Sequence, residues 1–382
     1  MQARWQGTRI VGVFLLGAIA SSAAMTALAK EPWEEKWDQV LAAARKEGVV
    51  AVSGPPGAFQ RRAITEGWAK AFPDIKLNYV GARGTQIVAK VVRERTSGLY
   101  NWDIILASTD PTVFSLKPIN ALAPLRDAII RPDITQDKSW IDSFESGFMD
   151  TEKKYFYSPV GTAGTLGFVN RDCVSKNDFN KITDMKKPRF VGKIAWHDPT
   201  RPGTSTQGLG VLYLSVGEAW IKDMFQNYKV TFSRDYRQMT DWLVSCAKPI
   251  VMGMPNDVLE QMQKQGIGKN VEEMDGPVYA GKVNPGGVGG NASIGWYNNA
   301  PHPNAAKVFV NWYLSAEFQR HYASVVQVNS RRADVKPADP RHVLDPAKAY
   351  FNTSEGNVRL VKDFQARVKT WGVLGSLGKK KR

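Results

Sequence analysis

Residues 49–111 read VVAVSGPPGAFQRRAITEGWAKAFPDIKLNYVGARGTQIVAKVVRERTSGLYNWDIILASTDP, and the order of signals in this stretch decides the fold. Val49 to Val52 is a short apolar run that reads as a strand and breaks at Ser53-Gly54-Pro55-Pro56-Gly57. Phe59 to Phe72 reads as a helix, with Ile64 and Trp68 four apart on one face and Pro73 ending it. Leu77 to Val80 is the next strand, and its loop is Gly81-Ala82-Arg83-Gly84. Thr85 is the predicted N-cap of a helix running through Ile87, Val88, Val91 and Val92. Asp103 to Ala107 is a third strand, followed by Ser108-Thr109-Asp110-Pro111. Strand and helix alternating in this way predict a parallel sheet covered on both faces. Ligands of such sheets bind beyond the C-terminal ends of the strands. Loops 53–57, 81–85 and 108–110 therefore converge on one edge, and Ser53, Gly54, Arg83, Gly84, Thr85, Ser108, Thr109 and Asp110 are candidate ligand contacts. The plainer alternative is a set of ordinary βα turns.

Working outward, Trp33 to Glu47 has a helical apolar rhythm and stops at Gly48. Tyr155 to Asn170, YFYSPVGTAGTLGFVN, is apolar, β-rich and crossed by three glycines, as expected of a segment passing between two lobes. A second α/β pattern follows. Val191 to Trp196 is a predicted strand, the loop His197 to Ser205 leads into a helix through Leu209, Leu212, Tyr213 and Val216, and Ile250 to Met254 is another strand before a helix capped by Asn256 or Asp257. Val278 to Pro285 and Ser293 to Trp296 are strand-like and flank a glycine-rich stretch ending at Asn291. Asn304 to Leu314 and Phe351 to Trp371 read as helices. The expected architecture is an α/β fold of two lobes with a ligand cleft. Lobe 1 comprises 30–160 plus 291–370 and lobe 2 comprises 168–280, with hinge crossovers at 161–167 and 281–290 and a flexible basic tail over 371–382.

The chain has 382 residues, 43% hydrophobic and 23% charged, enough to bury proper cores. Its formal charge is +15, but only Lys379 to Arg382 concentrates it, so the surplus does not describe a groove for nucleic acid. Residues 1–29 carry Arg4 and Arg9, an apolar stretch from Ile10 to Ile19 and a small-x-small end at Ala27-Leu28-Ala29, the pattern of a cleaved secretory signal peptide. No cysteine stands at that point for a lipid anchor, so the mature chain is expected free in the periplasm. Cys173 and Cys246 could join in an oxidising compartment, although the sequence leaves the bond open.

Arg201-Pro202-Gly203-Thr204-Ser205 runs straight into a helix, whose free N–H groups and positive end favour an anion. Arginine adds a planar fork suited to carboxylate or phosphate. Arg201, Gly203, Thr204 and Ser205 from the second lobe, with Arg83 from the first, form the candidate clamp. Thr162, Asn256 and Asn291 complete the candidate set. In the plainer alternative, Thr204 only caps its helix and both arginines face solvent. His197-Asp198 could ligate a metal, but hydrogen bonding is the simpler role, and no metal or cofactor is expected. Asp110 could instead hold a polyamine. Trp102, Tyr157, Trp196 and Trp296 could stack on a planar solute or fill the core. A periplasmic enzyme would need a nucleophile beside a base. His197, His302, His321 and His342 lie in no such motif, and Ser205 lacks the G-x-S-x-G elbow, so no enzymatic activity is expected.

Several stretches resemble the extracellular solute-binding proteins of ABC importers, in particular the subgroup with ferric-iron-, thiamine-, polyamine- and phosphonate-binding members. They are Asn101-Trp102-Asp103-Ile104, Pro159 to Asn170, Phe190 to Ile194, Phe309 to Ser315 with Glu317-Phe318-Gln319, and Asn329 to Val335, the last resembling a ligand-side loop. The resemblance spans about 31–370. It implies a periplasmic-binding-protein type II fold, a monomer that closes on a small-molecule ligand, and a permease and ATPase as partners. It implies no covalent chemistry. The chain departs from the direct iron binders, which carry adjacent tyrosines late in the site; here Tyr297 has Trp296 as its neighbour. The favoured cargo is a small anionic solute or anion-bearing complex, with ferric iron or an iron complex, a polyamine, or an enzymatic role as alternatives.

Overall fold

The computed structural model describes residues 30–201, 204–255, 257–275, 279–280, 284–287 and 292–378. The expected signal peptide, Gly203, Asn256, Asn291 and the last four basic residues lie outside them, as does most of the 281–290 crossover. In chain order the strands of the two lobes and their junction are β1 (Val49–Gly54), β2 (Lys76–Gly81), β3 (Ile104–Ala107), β4 (Leu122–Ala123), β5 (Phe156–Tyr157), β6 (Thr162–Ala163), β7 (Thr165–Asn170), β8 (Ile194–His197), β9 (Thr231–Ser233), β10 (Ile250–Met252), β11 (Val271–Asp275), β12 (Asn284–Gly287), β13 (Ser293–Tyr297) and β14 (Tyr350–Phe351).

The first sheet has the order β2-β1-β3-β13-β4, with β5 also on β13. β1 runs parallel to β2 and β3, and β13 returns antiparallel to β3. Alternation sorts its side chains onto two faces. Val50, Val52, Ile104 and Leu106 enter one core, while Ala51, Ile105 and Ala107 enter the other. The second sheet has the order β11-β7-β10-β8-β9, with β8, β9 and β10 parallel and β7 antiparallel to β10 and β11. It is sorted in the same way. Ile194, Trp196, Ile250 and Met252 face one core, and Ala195 and Val251 face the other. The parallel sheet expected of the first lobe is present with β13 running against it, and the sheet of the second α/β lobe is mixed in the same way.

Between the lobes lies a three-stranded sheet, β14-β12-β6. β6 pairs antiparallel with β12, Ala163 opposite Gly286, and β14 pairs parallel with β12. The chain thus passes between the lobes as paired strands. β7 already belongs to the second sheet from Thr165, earlier than the expected start of lobe 2 at 168.

The end of the chain departs from expectation. Phe351, Val361, Phe364 and Val368 are buried in the second core, with Trp371, Val373, Leu374 and Leu377 packed against it. The Glu355–Thr370 helix therefore sets its apolar face into the second-lobe core while Glu355 and Lys362 reach Lys117 and Asp110 of the first lobe, and residues 371–378 are a packed turn and not a free tail. The physical reason is area. The Thr204–Asn227 helix is kinked at Gly217, and without this cover Tyr213, 4.7 Å from the Phe364 ring, and Phe225, 6.2 Å from the Trp371 ring, would lose apolar contact on its two halves; each such side chain buried contributes about 1.5–3 kcal/mol. A smaller correction concerns the third helix, which spans Gly84–Thr96 with Arg83 at its cap position, so that Thr85 sits inside the first turn. Gly84 permits this early start, since a Cβ there would lie 3.1 Å from Pro111 Cγ.

Cys173 and Cys246 are joined by a disulfide that closes a span of 73 residues within the second lobe. Among the described residues no helix is long and apolar enough to cross a membrane.

Candidate ligand cleft

At the first-lobe edge the three predicted loops meet. Ala82 N–H donates to the Gly54 carbonyl at 3.0 Å, and a Cβ on Gly84 would lie 3.6 Å from Ala107 Cβ and 3.9 Å from Ser108 Oγ. Their side chains have different fates. Ser53 is fully buried, donates to the Ile104 carbonyl at 3.3 Å and lies 3.5 Å from the Tyr297 hydroxyl, so it serves the sheet. Gly54 lies beneath Tyr79, whose hydroxyl donates to the Pro55 carbonyl at 2.7 Å; any side chain at 54 would collide with that ring. Arg83 and Thr85 are exposed, and Ser108 is half-buried at the start of the Thr109–Leu116 helix. Thr109 is buried, and its hydroxyl has no hydrogen-bond partner among the described residues. The same holds for Thr112, one turn further along, and for Ser293, which opens β13 opposite Ala107. Unsatisfied buried hydroxyls cost roughly 1–3 kcal/mol each, and three of them cluster beside the C-terminal end of β3.

Asp110 is not free. Its carboxylate is paired with Lys362 of the C-terminal helix, which also lies 4.4 Å over the Phe114 ring. Arg61, which the sequence reading did not select, lies 5.6 Å over the Tyr79 ring, with Nη2 2.8 Å from where a Gly81 Cβ would stand. Arg61 and Arg83 make no ion pair among the described residues.

At the second-lobe edge, loops leave the C-terminal ends of β8, β9 and β10. Asp198 is fully buried at the end of β8. It accepts from Thr200 N at 3.0 Å, Thr200 Oγ1 at 2.6 Å and Arg234 Nε at 2.8 Å, while Arg201 Nε stands 3.9 Å away. Burial alone would raise its pKa, but these donors outweigh burial and hold it below the usual carboxylate value. His197 stacks on Tyr236 at 4.6 Å, and burial lowers its pKa against the opposing pull of Asp198, leaving a neutral ring at pH 7. This dyad organises the loop. Asp198 sets the turn and carries Arg201 and Arg234, so the edge is cationic on balance. Arg201 is exposed, and Thr204 and Ser205 open the Thr204–Asn227 helix as expected. Arg234 was missed because the short β9 carries only three residues of strand signal.

The C-terminal helix ties the two edges. Lys362 reaches Asp110, while Gln365, about one turn on, donates to the Pro199 carbonyl at 2.8 Å and the Arg201 carbonyl at 3.4 Å. A turn rises about 5.4 Å, so loops 108–110 and 198–201 lie within side-chain reach of one helical segment. At the helix start, Glu355 accepts from Lys117 Nζ at 2.6 Å and from Thr151 N and Oγ1 at 3.0 and 3.1 Å, and its own N–H donates to the Met149 carbonyl at 2.7 Å. No local signal in the sequence could have shown this, since Asp110 and Lys362 are 252 residues apart in the chain.

The remaining sequence candidates resolve as structure. Thr162 lies in β6, with Oγ1 accepting from Asn329 N at 3.3 Å. Trp196 and Tyr157 are fully buried and Trp102 nearly so. Asp103 accepts from Ala51 N at 2.7 Å and His302 N at 2.8 Å, pinning β1 to β3. The loop Asn329 to Val335, expected on the ligand side, is turned inward, with Asn329 to Arg332 all buried. Its backbone pairs with Pro159 and Gly161, and burying that junction leaves its polar side chains no route to the cleft.

Two α/β lobes, a paired-strand junction and facing loop edges define a type II periplasmic binding protein. The sequence family described as bacterial extracellular solute-binding protein matches residues 51–320, and the chain belongs to it. No curated protein sequence matches it. Among solved structures, apo FutA2 from Synechocystis aligns with a TM-score of 0.65 at 14% identity, over 85% of this chain and 99% of that one. Iron-bound HitA from Pseudomonas aeruginosa aligns at 0.57 and 14%, over 83% and 99%. AfuA from Actinobacillus pleuropneumoniae, with fructose-6-phosphate bound, aligns at 0.53 and 16%, over 83% and 97%. At these identities the likeness is one of fold.

Proposed function

We propose that the protein is exported to the periplasm, captures a small anionic solute or anion-bearing complex between its lobes, and delivers it to an ABC permease and its ATPase. In this reading it acts as a monomer without a cofactor of its own and makes no covalent change to its ligand. The lobes close about β6 and β12. The observation that carries the reading is the set of buried hydroxyls of Thr109 and Thr112 on the helix after β3 and of Ser293 at the start of β13, unpartnered among the described residues, with Arg61 and Arg83 without an ion pair there and Arg201 and Arg234 on the second-lobe edge. Hydroxyl donors, a helix N-terminus and arginine forks are the groups that bind phosphate esters and carboxylates. The sugar phosphate in AfuA is consistent with such a cargo.

A polyamine fits less well, because Lys362 already holds Asp110. An iron-bearing anion such as ferric citrate is the second reading, supported by the iron in HitA. Direct ligation of ferric ion by a phenolate pair is disfavoured, since Tyr297 has Trp296 and not a second tyrosine as its neighbour.

A thermal-shift panel of sugar phosphates, citrate, ferric citrate, inorganic phosphate and polyamines tests the proposal. Binding raises the apparent melting temperature by mass action. Stabilisation by an anion, lost on Arg83→Ala, is the expected result. Selective stabilisation by polyamines refutes it.

A further inference from the structure

Arg331 and Arg332 are adjacent and both buried, with 4% and 2% of their surfaces exposed, yet their charges are treated differently. Arg332 has two carboxylates. Its Nε and Nη2 donate to Asp334 at 2.8 Å each, Nη2 reaches Asp133 at 3.2 Å, Nη1 donates to the Leu314 carbonyl at 3.0 Å, and the guanidinium lies 5.4 Å over the Trp140 ring. Among the described residues Arg331 has no carboxylate within 4 Å. Its Nη2 donates to the Ile141 and Ser143 carbonyls at 2.9 and 3.3 Å and to Ser146 Oγ, and Nη1 reaches the Ser158 carbonyl only at 3.5 Å. Nε–H has no acceptor among the described residues. Beside the guanidinium lies the buried Tyr157 hydroxyl, where burial raises the phenol pKa and Arg331 opposes it, and a Cβ on Gly147 would lie 2.3 Å from Tyr157 Cζ and 2.4 Å from Arg331 Nη1.

Arg331 also lines a cavity of about 330 Å³ with Asp142, Ser146, Gly161, Lys348 and Tyr350. Lys348 brings a second positive charge, only loosely paired with Asp345 at 3.6 Å. Asp142 forms no ion pair with either cation. Removing an ion from water costs several kcal/mol unless a counter-charge or a full set of hydrogen bonds replaces the water. Carbonyl dipoles meet part of that cost for Arg331, and its neighbour shows what full compensation looks like.

We propose that this cavity binds a small oxyanion, phosphate or carboxylate, as the counter-ion of Arg331, at a second site distinct from the cleft between the lobes. The anion would meet Arg331 and Lys348 and sit against Gly161 and Tyr350, next to the paired strands that join the lobes. The site does not depend on what the cleft binds.

Arsenate, which scatters anomalously and resembles phosphate, tests this directly when soaked into crystals of the protein. The expected result is a peak within hydrogen-bonding distance of the Arg331 guanidinium, with occupancy clearly reduced in Lys348→Met, a change at a part-exposed residue that leaves the fold intact. A cavity holding only water at saturating arsenate overturns the proposal, as does a peak unchanged by Lys348→Met. In solution, Arg83→Ala weakens the cleft. In that background phosphate is still expected to raise the melting temperature, and adding Lys348→Met is expected to weaken the effect about tenfold. An anion present in the crystal without any such shift is an adventitious ion only, and also overturns the proposal.

Discussion

The two lobes bring the same topological feature to the cleft, the C-terminal ends of parallel strands, and furnish it by different means. The first lobe uses close backbone packing at Gly54 and Gly84 and the unpartnered hydroxyls of Thr109 and Ser293. The second uses one buried carboxylate, Asp198, to fix a turn and hold two arginines. The first lobe leaves hydroxyl donor capacity unused among the described residues. The second has committed its hydrogen bonds and offers charge instead. The contrast teaches that a ligand edge can be prepared either by withholding partners or by over-supplying cations around a satisfied anion.

Stability changes should separate the two lobes. Replacing Cys173 and Cys246 by serine frees a closed span of 73 residues and is expected to cost about 2–4 kcal/mol. Calorimetry should show the loss in the second-lobe transition alone; an equal fall in both lobes would break the comparison. Asp198→Asn removes a charged acceptor with three donors and is expected to cost about 2–3 kcal/mol, part of the arginine contribution being discounted because Arg234 is 47% exposed. Denaturant titration checks it, and a cost below about 0.5 kcal/mol would mean that Asp198 does not organise the loop.

Alkaline pH probes the junction. His342 lies between Glu273 at 2.7 Å and Asp339 at 2.9 Å, and these carboxylates raise its pKa to about 9. A pKa raised above the unfolded value stabilises fully below about pH 6.5, and the contribution is lost as pH rises through about 9. The loss is expected to be about 2 kcal/mol and absent in His342→Gln. Lys362→Met removes a part-exposed ion pair and is expected to change stability by less than about 1 kcal/mol. It should nevertheless loosen the helix that ties the lobes, and small-angle scattering of the ligand-free protein should show a larger radius of gyration. Smallest in stability is Thr109→Val, where a buried hydroxyl without a partner is replaced by a methyl, so stability should hold or rise slightly. Anion affinity measured by calorimetry should fall about tenfold if the hydroxyl waits for the ligand. A marked loss of stability with unchanged affinity would show that Thr109 is simply structural.

Much of the fold was legible because it rests on local patterns. The apolar runs of β1 and β3, the proline after the second helix and the glycines that close β1 and β2 all act within a few residues. Legibility failed where two choices were locally equal. Ser53 and Thr109 are both small hydroxyl residues at the end of a strand, yet one is spent on the Ile104 carbonyl and the other is left without a partner. Only the position of neighbouring chains distinguishes them. Likewise Asn329 to Val335 resembles a ligand-side loop of the family, and the burial of Asn329 to Arg332 follows from pairing with Pro159 and Gly161, far away in sequence.

By itself the sequence determined two α/β lobes, the glycine-rich crossings and the loops that meet at the cleft, since hydrophobic period and turn chemistry are local properties. Tertiary structure alone decided that the last helix buries its apolar face in the second-lobe core while bridging to the first, that Lys362 neutralises Asp110, and that Arg331 lacks the carboxylates given to Arg332 among the described residues. Those outcomes depend on which surfaces meet and which charges are taken out of water together, and contacts between residues hundreds of positions apart leave no periodic trace in the chain.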